Sequence, residues 1–251
     1  ATAQRRFVAD ASHELRSPLA SLKVSMDVAE IADTPEEWQL AAPVIRDELT
    51  RMTQLVDDLL FLARADDGTS PMRTFDVDID DIVGREAIRL RSQTGLHIQT
   101  DLLAARTRGD PARLAQVIRN LADNASRFAA STIRFGVNVD AGVVRISIED
   151  DGPGVPADQR ERVLERFVRL DDARSRWDGG TGLGLAIAVE IIKAHGGSLR
   201  LDDSTLGGAR VRVLLPIRVA EKLAAVRSQP ITNATDRLKR APVERDVNLA
   251  P

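Results

Sequence analysis

Three short motifs at equal intervals in the second half of the chain limit what it can fold into. They are Asn120-Leu-Ala-Asp-Asn124, Asp150-Asp-Gly-Pro-Gly154 and Gly180-Thr-Gly-Leu-Gly184. A lone glycine triplet is commonly a flexible loop. Together and in this order, the motifs supply amides for a metal, a carboxylate at a glycine-rich turn, and a glycine loop that opens a helix. This combination predicts a nucleotide pocket.

The two asparagines of the first motif predict a magnesium site. Asn120 and Asn124 are one helical turn apart, so their amides point to the same side of a helix. Mg²⁺ accepts neutral amide oxygen when phosphate oxygens and water complete its shell. Arg127 follows on the same face and could pair with phosphate. Phe128 could stack on a purine or pack in the core, and the sequence leaves both alternatives open.

The second motif places a carboxylate at the end of an apolar strand. Asp150 follows the segment Val143–Ile148, and Gly152 and Gly154 allow the backbone to approach a flat ring. A carboxylate in this position can accept a hydrogen bond from the exocyclic amine of adenine. Asp151 is expected to be its solvated neighbour.

The third motif precedes the apolar helix predicted over Leu185–Ala194. Bare amides at a helix N-terminus bind phosphate through their N–H groups and the helix dipole. The candidate phosphate-binding residues are therefore Gly180, Thr181, Gly182, Leu183 and Gly184. The chain has no G-x-x-x-x-G-K-[ST] loop, which excludes a P-loop protein.

The first 66 residues predict two long amphipathic helices joined by a short turn. Thr34 suits the N-cap of the second helix and Pro35 its first position. Apolar residues recur at helical spacing in both halves: Val8, Ala11, Leu15, Leu19, Leu22, Met26 and Ala29, then Leu40, Val44, Ile45, Leu49, Met52, Val56, Leu59, Leu60 and Ala63. Because one antiparallel hairpin cannot cover both stripes, we expect a homodimer in which two hairpins form a four-helix bundle.

One of the three histidines lies where it could react. His13 flanks the first apolar stripe, so its imidazole should be accessible. A neutral imidazole is a good nucleophile for phosphorus. Pro18 removes a hydrogen bond from the helix near His13. The other two are interpreted as ordinary: His97 on the polar side of a strand, and His195 at the end of a helix.

Residues 74–216 predict an α/β sandwich, so the fold class is α+β with a helical hairpin first. Three helices should cover one face of a mixed sheet. The predicted elements are a short strand from Thr74 leading into a helix at 79–94, a strand at His97–Leu102, a helix at Pro111–Ala125 capped by Asp110, strands at 133–139 and 143–148 turned at Asp140-Ala-Gly142, a short helix near 157–166, a helix at 182–194, and strands at 198–202 and 209–215. Residues 67–73 read as a linker and 217–251 as a disordered tail.

Composition excludes several classes of protein. The chain has no cysteine, so disulfides and thiolate metal sites are excluded. Its net charge of −3 argues against a nucleic-acid binder. No apolar run approaches the ~18 residues of a membrane span. Because Ala1 opens directly into a helical pattern, we expect a cytoplasmic fragment without membrane contact, cut from a protein anchored upstream in the membrane.

At these motifs the chain resembles the catalytic core of sensor histidine kinases of two-component systems. Phe7-Val-Ala-Asp-Ala-Ser-His13-Glu-Leu-Arg-Ser-Pro-Leu19 resembles the H box of that family, and Gln116-Val-Ile-Arg-Asn120-Leu-Ala-Asp-Asn124-Ala the N box. The remaining boxes correspond to Asp150–Gly154 (G1), Glu165-Arg-Phe167-Val-Arg169 (F) and Gly180–Gly184 (G2). All five occur in family order across residues 1–216.

The resemblance implies a dimerisation and phosphotransfer hairpin followed by a Bergerat-type ATP-binding domain. It implies His13 as phosphoacceptor with Glu14 as its acid/base, and Asn124 as the main Mg²⁺ ligand beside Asn120. It further implies Asp150 as the adenine-reading residue and Arg174 and Arg176, in the lid segment, as candidates for the γ-phosphate. The implied cofactors are ATP and Mg²⁺, and the implied partner is the receiver domain of a response regulator.

Two rival interpretations and two departures from the family pattern accompany this reading. A nucleotide-binding dimerisation module without kinase activity is disfavoured because all catalytic positions are occupied, and a Bergerat-fold ATPase because the H box lies in a helical hairpin. Family members that dephosphorylate their partner often carry Thr or Asn where this chain has Ser17, so the resemblance leaves phosphatase activity open. The usual Lys-Tyr after the N box is Arg127-Phe128 here, which keeps charge and ring but loses a hydroxyl.

Overall fold

The computed structural model describes residues 2–32, 34–66, 73–168 and 182–217. Most of the predicted linker, the predicted lid with Arg174, Arg176, Gly180 and Thr181, and the predicted tail lie outside these ranges. Within the described ranges, no helix combines the length and the apolar character needed to cross a membrane.

The chain begins with the predicted helical hairpin. Helix α1 spans Thr2–Ala32 and helix α2 spans Pro35–Asp66. The Thr34 hydroxyl accepts a hydrogen bond from the Glu37 amide at 3.3 Å, which confirms the predicted N-cap. Many large apolar side chains remain exposed on the hairpin, among them Leu19, Val24, Met26, Val28, Ile31, Leu40, Val44, Leu49, Val56 and Leu60.

A five-stranded mixed sheet follows the hairpin. Its strands are β2 (His97–Leu102), β4 (Thr132–Asp140), β5 (Val143–Asp150), β6 (Ser198–Asp203) and β7 (Ala209–Pro216). Their order is β2-β4-β5-β7-β6, with β2 parallel to β4 and the other neighbours antiparallel. A separate pair joins β1 (Phe75–Asp78) to β3 (Arg106–Gly109).

Three helices pack on the sheet, as predicted. They are α3 (Ile79–Gln93), α4 (Pro111–Phe128) and α5 (Gly184–Ala194). Their apolar faces meet the inward-facing residues of β4, β5 and β7, such as Phe135, Ile146 and Val213, in one core. The α/β sandwich expected from the sequence is therefore confirmed.

Three sequence assignments need correction. The strand β3 was not predicted, because Arg106–Gly109 is largely polar and has no apolar alternation. The helix expected near 157–166 consists of two 3₁₀ turns, Ala157–Gln159 and Arg162–Leu164. The helix expected from residue 182 begins at Gly184, because Gly182 has a positive φ of 68°.

The β4–β5 turn forms where it was predicted. Ala141 and Gly142 have φ values of 49° and 78°. Two successive positive φ values characterise the tight hairpin turn whose twist matches that of the flanking strands.

His195 has a role that the sequence did not reveal. Its side chain is 3% exposed at the C-terminal end of α5. Its Nδ1 lies 2.7 Å from the Ile191 carbonyl, and its Nε2 accepts a hydrogen bond from the Asp110 amide at 3.0 Å. Because Nε2 accepts, the ring is the neutral tautomer with the proton on Nδ1. The imidazole thus joins the end of α5 to the start of α4.

We predict that His195→Ala lowers the free energy of unfolding by about 2–4 kcal/mol. The change removes a buried ring and leaves the Asp110 amide without its acceptor. The control is His97→Ala, since His97 is exposed on β2 and should change stability by less than about 0.5 kcal/mol. Urea unfolding measures both, and equal losses would contradict the assigned role of His195.

Candidate functional site

Helix α4 carries the two predicted metal ligands and begins at a well-formed cap. The Asp110 carboxylate accepts hydrogen bonds from the amides of Ala112 and Arg113 at 3.0 and 3.2 Å, and Pro111 occupies the first turn. This confirms the predicted N-cap. The cap and the packed apolar face of α4 fix the direction in which its polar residues project.

Asn120 connects α4 to the start of α5. Its Nδ2 donates to the Gly184 carbonyl at 3.1 Å. A Cβ at Gly184 would lie 3.7 Å from the Asn120 side chain, so the two helices approach closely here. This bond uses the amide nitrogen and leaves the Asn120 carbonyl oxygen for a ligand.

Asn124 lies one turn further along α4 and is half-buried. Two neutral amide oxygens on one helical face fit a hard cation whose remaining ligands come from phosphate and water. Among the described residues, no group of three His, Cys, Asp or Glu side chains could hold a metal by itself. A cation at Asn120 and Asn124 would therefore depend on a phosphate-bearing ligand.

Asp150 is fixed at the end of β5. Its side chain is 5% exposed, and its Oδ1 accepts hydrogen bonds from the amides of Gly152 at 2.9 Å and Ala209 at 3.1 Å. Burial raises the pKa of this carboxyl, against the lowering effect of the two amides. Neither bond uses Oδ2, which leaves one carboxylate oxygen as an acceptor for a ligand.

Glycines permit the close backbone contacts around Asp150. A Cβ at Gly152 would lie 2.2 Å from the Phe128 carbonyl oxygen, and one at Gly208 would lie 2.3 Å from Asp150 Oδ1. Gly154 has a positive φ of 72°. Gly208 was missed in the sequence analysis, and the Gly207-Gly208 pair before β7 was the signal that could have indicated it.

Asp151 is a structural residue and not the solvated neighbour expected from the sequence. Its Oδ1 accepts from the amides of Ala130, Ser131 and Thr132 at 2.9–3.0 Å, and its Oδ2 accepts from the Ser131 hydroxyl at 2.6 Å. These hydrogen bonds, the Ser131 hydroxyl first, lower the pKa of Asp151 well below its usual range. Asp151 therefore holds the loop between α4 and β4.

The residues on either side of the predicted lid are hydrogen-bonded to each other. The Phe167 amide donates to the Gly182 carbonyl at 3.0 Å, and both residues have positive φ values, 63° and 68°. Leu183 is fully buried, so only its backbone could face a ligand. The residue at the N-cap of α5, Leu183, has no polar side chain that could cap the helix. The first turn of α5 is therefore a candidate for contact with an anion.

The last residues of α4 lie at the surface. Arg127 is exposed, and the Phe128 ring is 51% exposed. The structure therefore does not support core packing, one of the two alternatives that the sequence left open for Phe128.

His13 and Glu14 lie on α1, apart from the elements that build the pocket. The His13 side chain is exposed, as expected, and Glu14 is half-buried. Pro18 is buried within α1, and the helix continues through it to Ala32. The structure thus brings Asn120 to Gly184, brings Gly152 to Asp150 and to the end of α4, and places the imidazole on the hairpin.

Comparison with known protein families decides what this arrangement is. Residues 3–68 match the His Kinase A (phospho-acceptor) domain, and residues 109–219 match the histidine kinase-, DNA gyrase B-, and HSP90-like ATPase family. The chain belongs to the histidine kinases. The second match implies that its sheet domain binds ATP.

Individual histidine kinases are similar along most of the chain. The signal transduction histidine-protein kinase/phosphatase MprB of Mycolicibacterium smegmatis is 36% identical over 85% of this chain, and the probable sensor histidine kinase TcrY of Mycobacterium tuberculosis is 37% identical over 86%. The chain spans 46% of the length of each. The structure of Acinetobacter baumannii histidine kinase AdeS has the same fold, with a TM-score of 0.66 at 22% identity over 82% of this chain and 98% of its own.

In this histidine kinase chain, the hairpin contacts the helix that carries Asn120 and Asn124. Asp58 on α2 accepts a hydrogen bond from Gln116 on α4 at 2.8 Å. The Arg113 guanidinium lies 4.5 Å from the centroid of the Phe61 ring, a cation–π contact. Burial raises the pKa of Asp58, against the lowering effect of hydrogen bonds from Gln54 and Gln116.

We predict that two neighbouring isosteric changes affect different properties of the protein. Asp150→Asn should weaken ATP binding about tenfold or more, because it replaces a carboxylate acceptor by an amide, which is a poorer hydrogen-bond acceptor for the adenine amine. Asp151→Asn should leave ATP affinity nearly unchanged and lower stability, because its carboxylate holds a loop. Calorimetric titration with ATP and thermal unfolding separate the two. Equal losses of ATP affinity would refute the division.

The stabilising effect of Asp151 should depend on pH in a defined direction. Its pKa is lower in the folded state than its ordinary value of about 3.9. Its contribution is therefore complete above about pH 4 and is lost as the pH falls through the folded-state value. The stability difference between the wild type and Asp151→Asn should be constant from pH 5 to about pH 8 and shrink below about pH 4. A difference that grows on acidification would contradict this.

Proposed function

We propose that this chain is an ATP-dependent protein-histidine kinase core that phosphorylates His13 and passes the phosphoryl group to an aspartate of a response regulator. The observation that carries the proposal is the bond between Asn120 and Gly184. It fixes the helix that carries the proposed amide ligands against the N-terminus of α5, while the other end of α4 contacts the glycine loop after Asp150. An exposed imidazole stands on the adjoining hairpin.

The adenine end of the nucleotide is assigned to Asp150. Its free Oδ2 is the acceptor for the exocyclic amine, while the amides of Gly152 and Ala209 hold Oδ1 in place. Because Gly152 and Gly208 leave no room for a Cβ, the backbone itself forms the wall of the pocket. The exposed Phe128 ring is assigned to stack on the purine.

The phosphates are assigned to the space between α4 and α5. Asn124, with Asn120 beside it, would provide amide oxygens to Mg²⁺, which neutralises phosphate charge when bound. Gly180, Thr181, Gly182, Leu183 and Gly184 would offer backbone amides, and Arg127 a guanidinium. Arg174 and Arg176 are proposed for the γ-phosphate.

The chemical step forms a bond between an imidazole nitrogen of His13 and the γ-phosphorus. The bond from that phosphorus to the bridging oxygen breaks, and ADP leaves with the electron pair. Glu14 accepts the imidazole proton or stabilises the positive charge that develops. Phosphoryl transfer depends on the positioning of the reactants and on the neutralisation of phosphate charge. A pocket between two packed helices suits this step, as does the hydrogen bond between the residues on either side of the lid.

We propose that the active unit is a homodimer formed by the hairpins. Exposed apolar side chains at positions 49, 56 and 60 of α2 lie along one face and are 42–52% exposed. A contiguous apolar surface of this kind usually marks a protein interface. Pairing of two hairpins into a four-helix bundle would cover it.

The first prediction of this proposal concerns the acceptor. Incubation with γ-labelled ATP and Mg²⁺ should place on His13 a label that is lost in acid and kept in base, because protonation makes the P–N bond labile. His13→Gln should abolish the label and leave ATP binding nearly unchanged. An acid-labile label of wild-type intensity on His13→Gln would refute the proposal.

A second prediction concerns the metal ligands. Asn124→Ala should lower Mg²⁺-dependent autophosphorylation by at least about tenfold, because an amide oxygen is lost from the cation site. The matched control is Asp123→Asn, which weakens an exposed ion pair between the same helix and Arg89 on α3 and leaves the two amide side chains unchanged. Activity that falls equally in both variants would indicate a general effect on α4.

A third prediction concerns assembly. Light scattering should show a dimer at micromolar concentration, and the double change Leu49→Glu and Val56→Glu should shift it toward monomer. Ile88→Glu is the control, since Ile88 is 63% exposed on α3, outside the hairpin. A wild-type monomer would contradict the proposed bundle.

A further inference from the structure

The outer face of the sheet, opposite α3–α5, contains a groove that the kinase function does not use. Its volume is about 350 Å³. Most of its lining is polar and comes from three strands: Asn138 on β4; Arg145, Ser147 and Glu149 on β5; Arg210 and Arg212 on β7. Of its three arginines, Arg145 is paired with Asp140 and Arg212 with Asp202, whereas no described residue forms an ion pair with Arg210.

The acidic residues nearest Arg210 are already bound elsewhere. In the strand register, Arg210 lies opposite Glu149 on one side and Asp202 on the other. Glu149 Oε2 instead accepts from the Ser204 hydroxyl at 3.2 Å and from the amide and hydroxyl of Thr205 at 3.1 and 3.0 Å. Asp202 accepts from Arg212 at 2.5 Å. Among the described residues, neither of these strand neighbours therefore forms an ion pair with Arg210.

The Arg210 side chain also has an unmet hydrogen-bonding requirement. Within the described part of the chain, its Nε is the buried side-chain polar atom that has no hydrogen-bond partner. A buried donor left without an acceptor is unfavourable, and more so when it carries charge. An acceptor bound in the groove would satisfy it.

We propose that this groove is a binding site for a small multivalent oxyanion, one that carries carboxylate or phosphate groups. Guanidinium groups bind such oxygens through paired N–H donors. The site is separate from the nucleotide pocket, because Glu149 and Asp150 are adjacent on β5 and adjacent strand residues face opposite sides of the sheet. Arg210 is the central residue, and Arg145 and Arg212, each already paired with an aspartate, lie beside it in the lining.

The test is NMR titration of the whole chain with citrate and, separately, inorganic pyrophosphate in magnesium-free buffer. The side-chain Nε–Hε resonance of Arg210 should shift with either anion, at concentrations up to about 10 mM that reveal a millimolar Kd. The backbone amide of Gly182 reports separately on the nucleotide pocket. A stronger response to one anion identifies the preferred oxygen chemistry.

Substitutions then locate the site. Arg210→Gln should weaken binding by about tenfold or more, and Arg210→Lys by less, because lysine keeps the charge and loses the Nε donor. Arg145→Gln should also weaken binding. The control Arg108→Gln removes a surface arginine paired with Asp76 on the β1–β3 pair and should leave the affinity within about twofold. An Arg210 resonance that does not shift with either anion, shifts confined to the nucleotide pocket, or unchanged affinity in Arg210→Gln would each overturn the proposal.

Discussion

The anchoring of α4 is the constraint on which the candidate site depends. Its apolar face is completely buried, and polar bonds hold it at two further points: the Asp110 amide to His195, and the Asn120 amide to Gly184. Both partners belong to α5 or its end. Because α4 carries the proposed amide ligands and α5 the proposed phosphate-binding amides, their mutual fixation would set the width of the space in which phosphates and a cation lie. Loss of either bond would loosen both halves of the site together.

The neighbouring carboxylates Asp150 and Asp151 show how surroundings separate residues of identical chemistry. Asp150 is buried, receives two amides on one oxygen and has a raised pKa, which leaves the other oxygen for recognition. Asp151 receives four hydrogen bonds from residues 130–132, and its pKa is lowered. Both of its carboxylate oxygens are therefore hydrogen-bonded to the loop between α4 and β4. A structural role for Asp151 follows from these contacts, and the open Oδ2 of Asp150 is compatible with its proposed ligand role.

The hairpin takes part in two kinds of contact. Near its C-terminal end, Leu55, Phe61 and Leu62 are buried and belong to the same apolar cluster as the sheet domain. Asp58 adds a polar contact to Gln116, four residues before Asn120. These three residues lie outside the apolar stripe predicted from the sequence; of that stripe, Leu59 packs against the same cluster. The remaining exposed part is what a second copy would cover.

The sequence by itself determined the hairpin, the strands with apolar alternation, the helix caps at Thr34 and Asp110, and the residue types of the nucleotide pocket. These are local properties, fixed by side-chain periodicity, by short-range hydrogen bonds and by the conformational freedom of glycine. Tertiary structure decided what depends on residues distant in the chain: the pairing of the polar strand β3 with β1, the contact of Gly208 with Asp150, and the exposure of Phe128. It also decided that the buried, neutral His195 ring joins α5 to the start of α4, and that the Nε of Arg210 has no acceptor among the described residues. No periodicity encodes these facts, because each depends on which groups the folded sheet and helices bring within hydrogen-bonding distance.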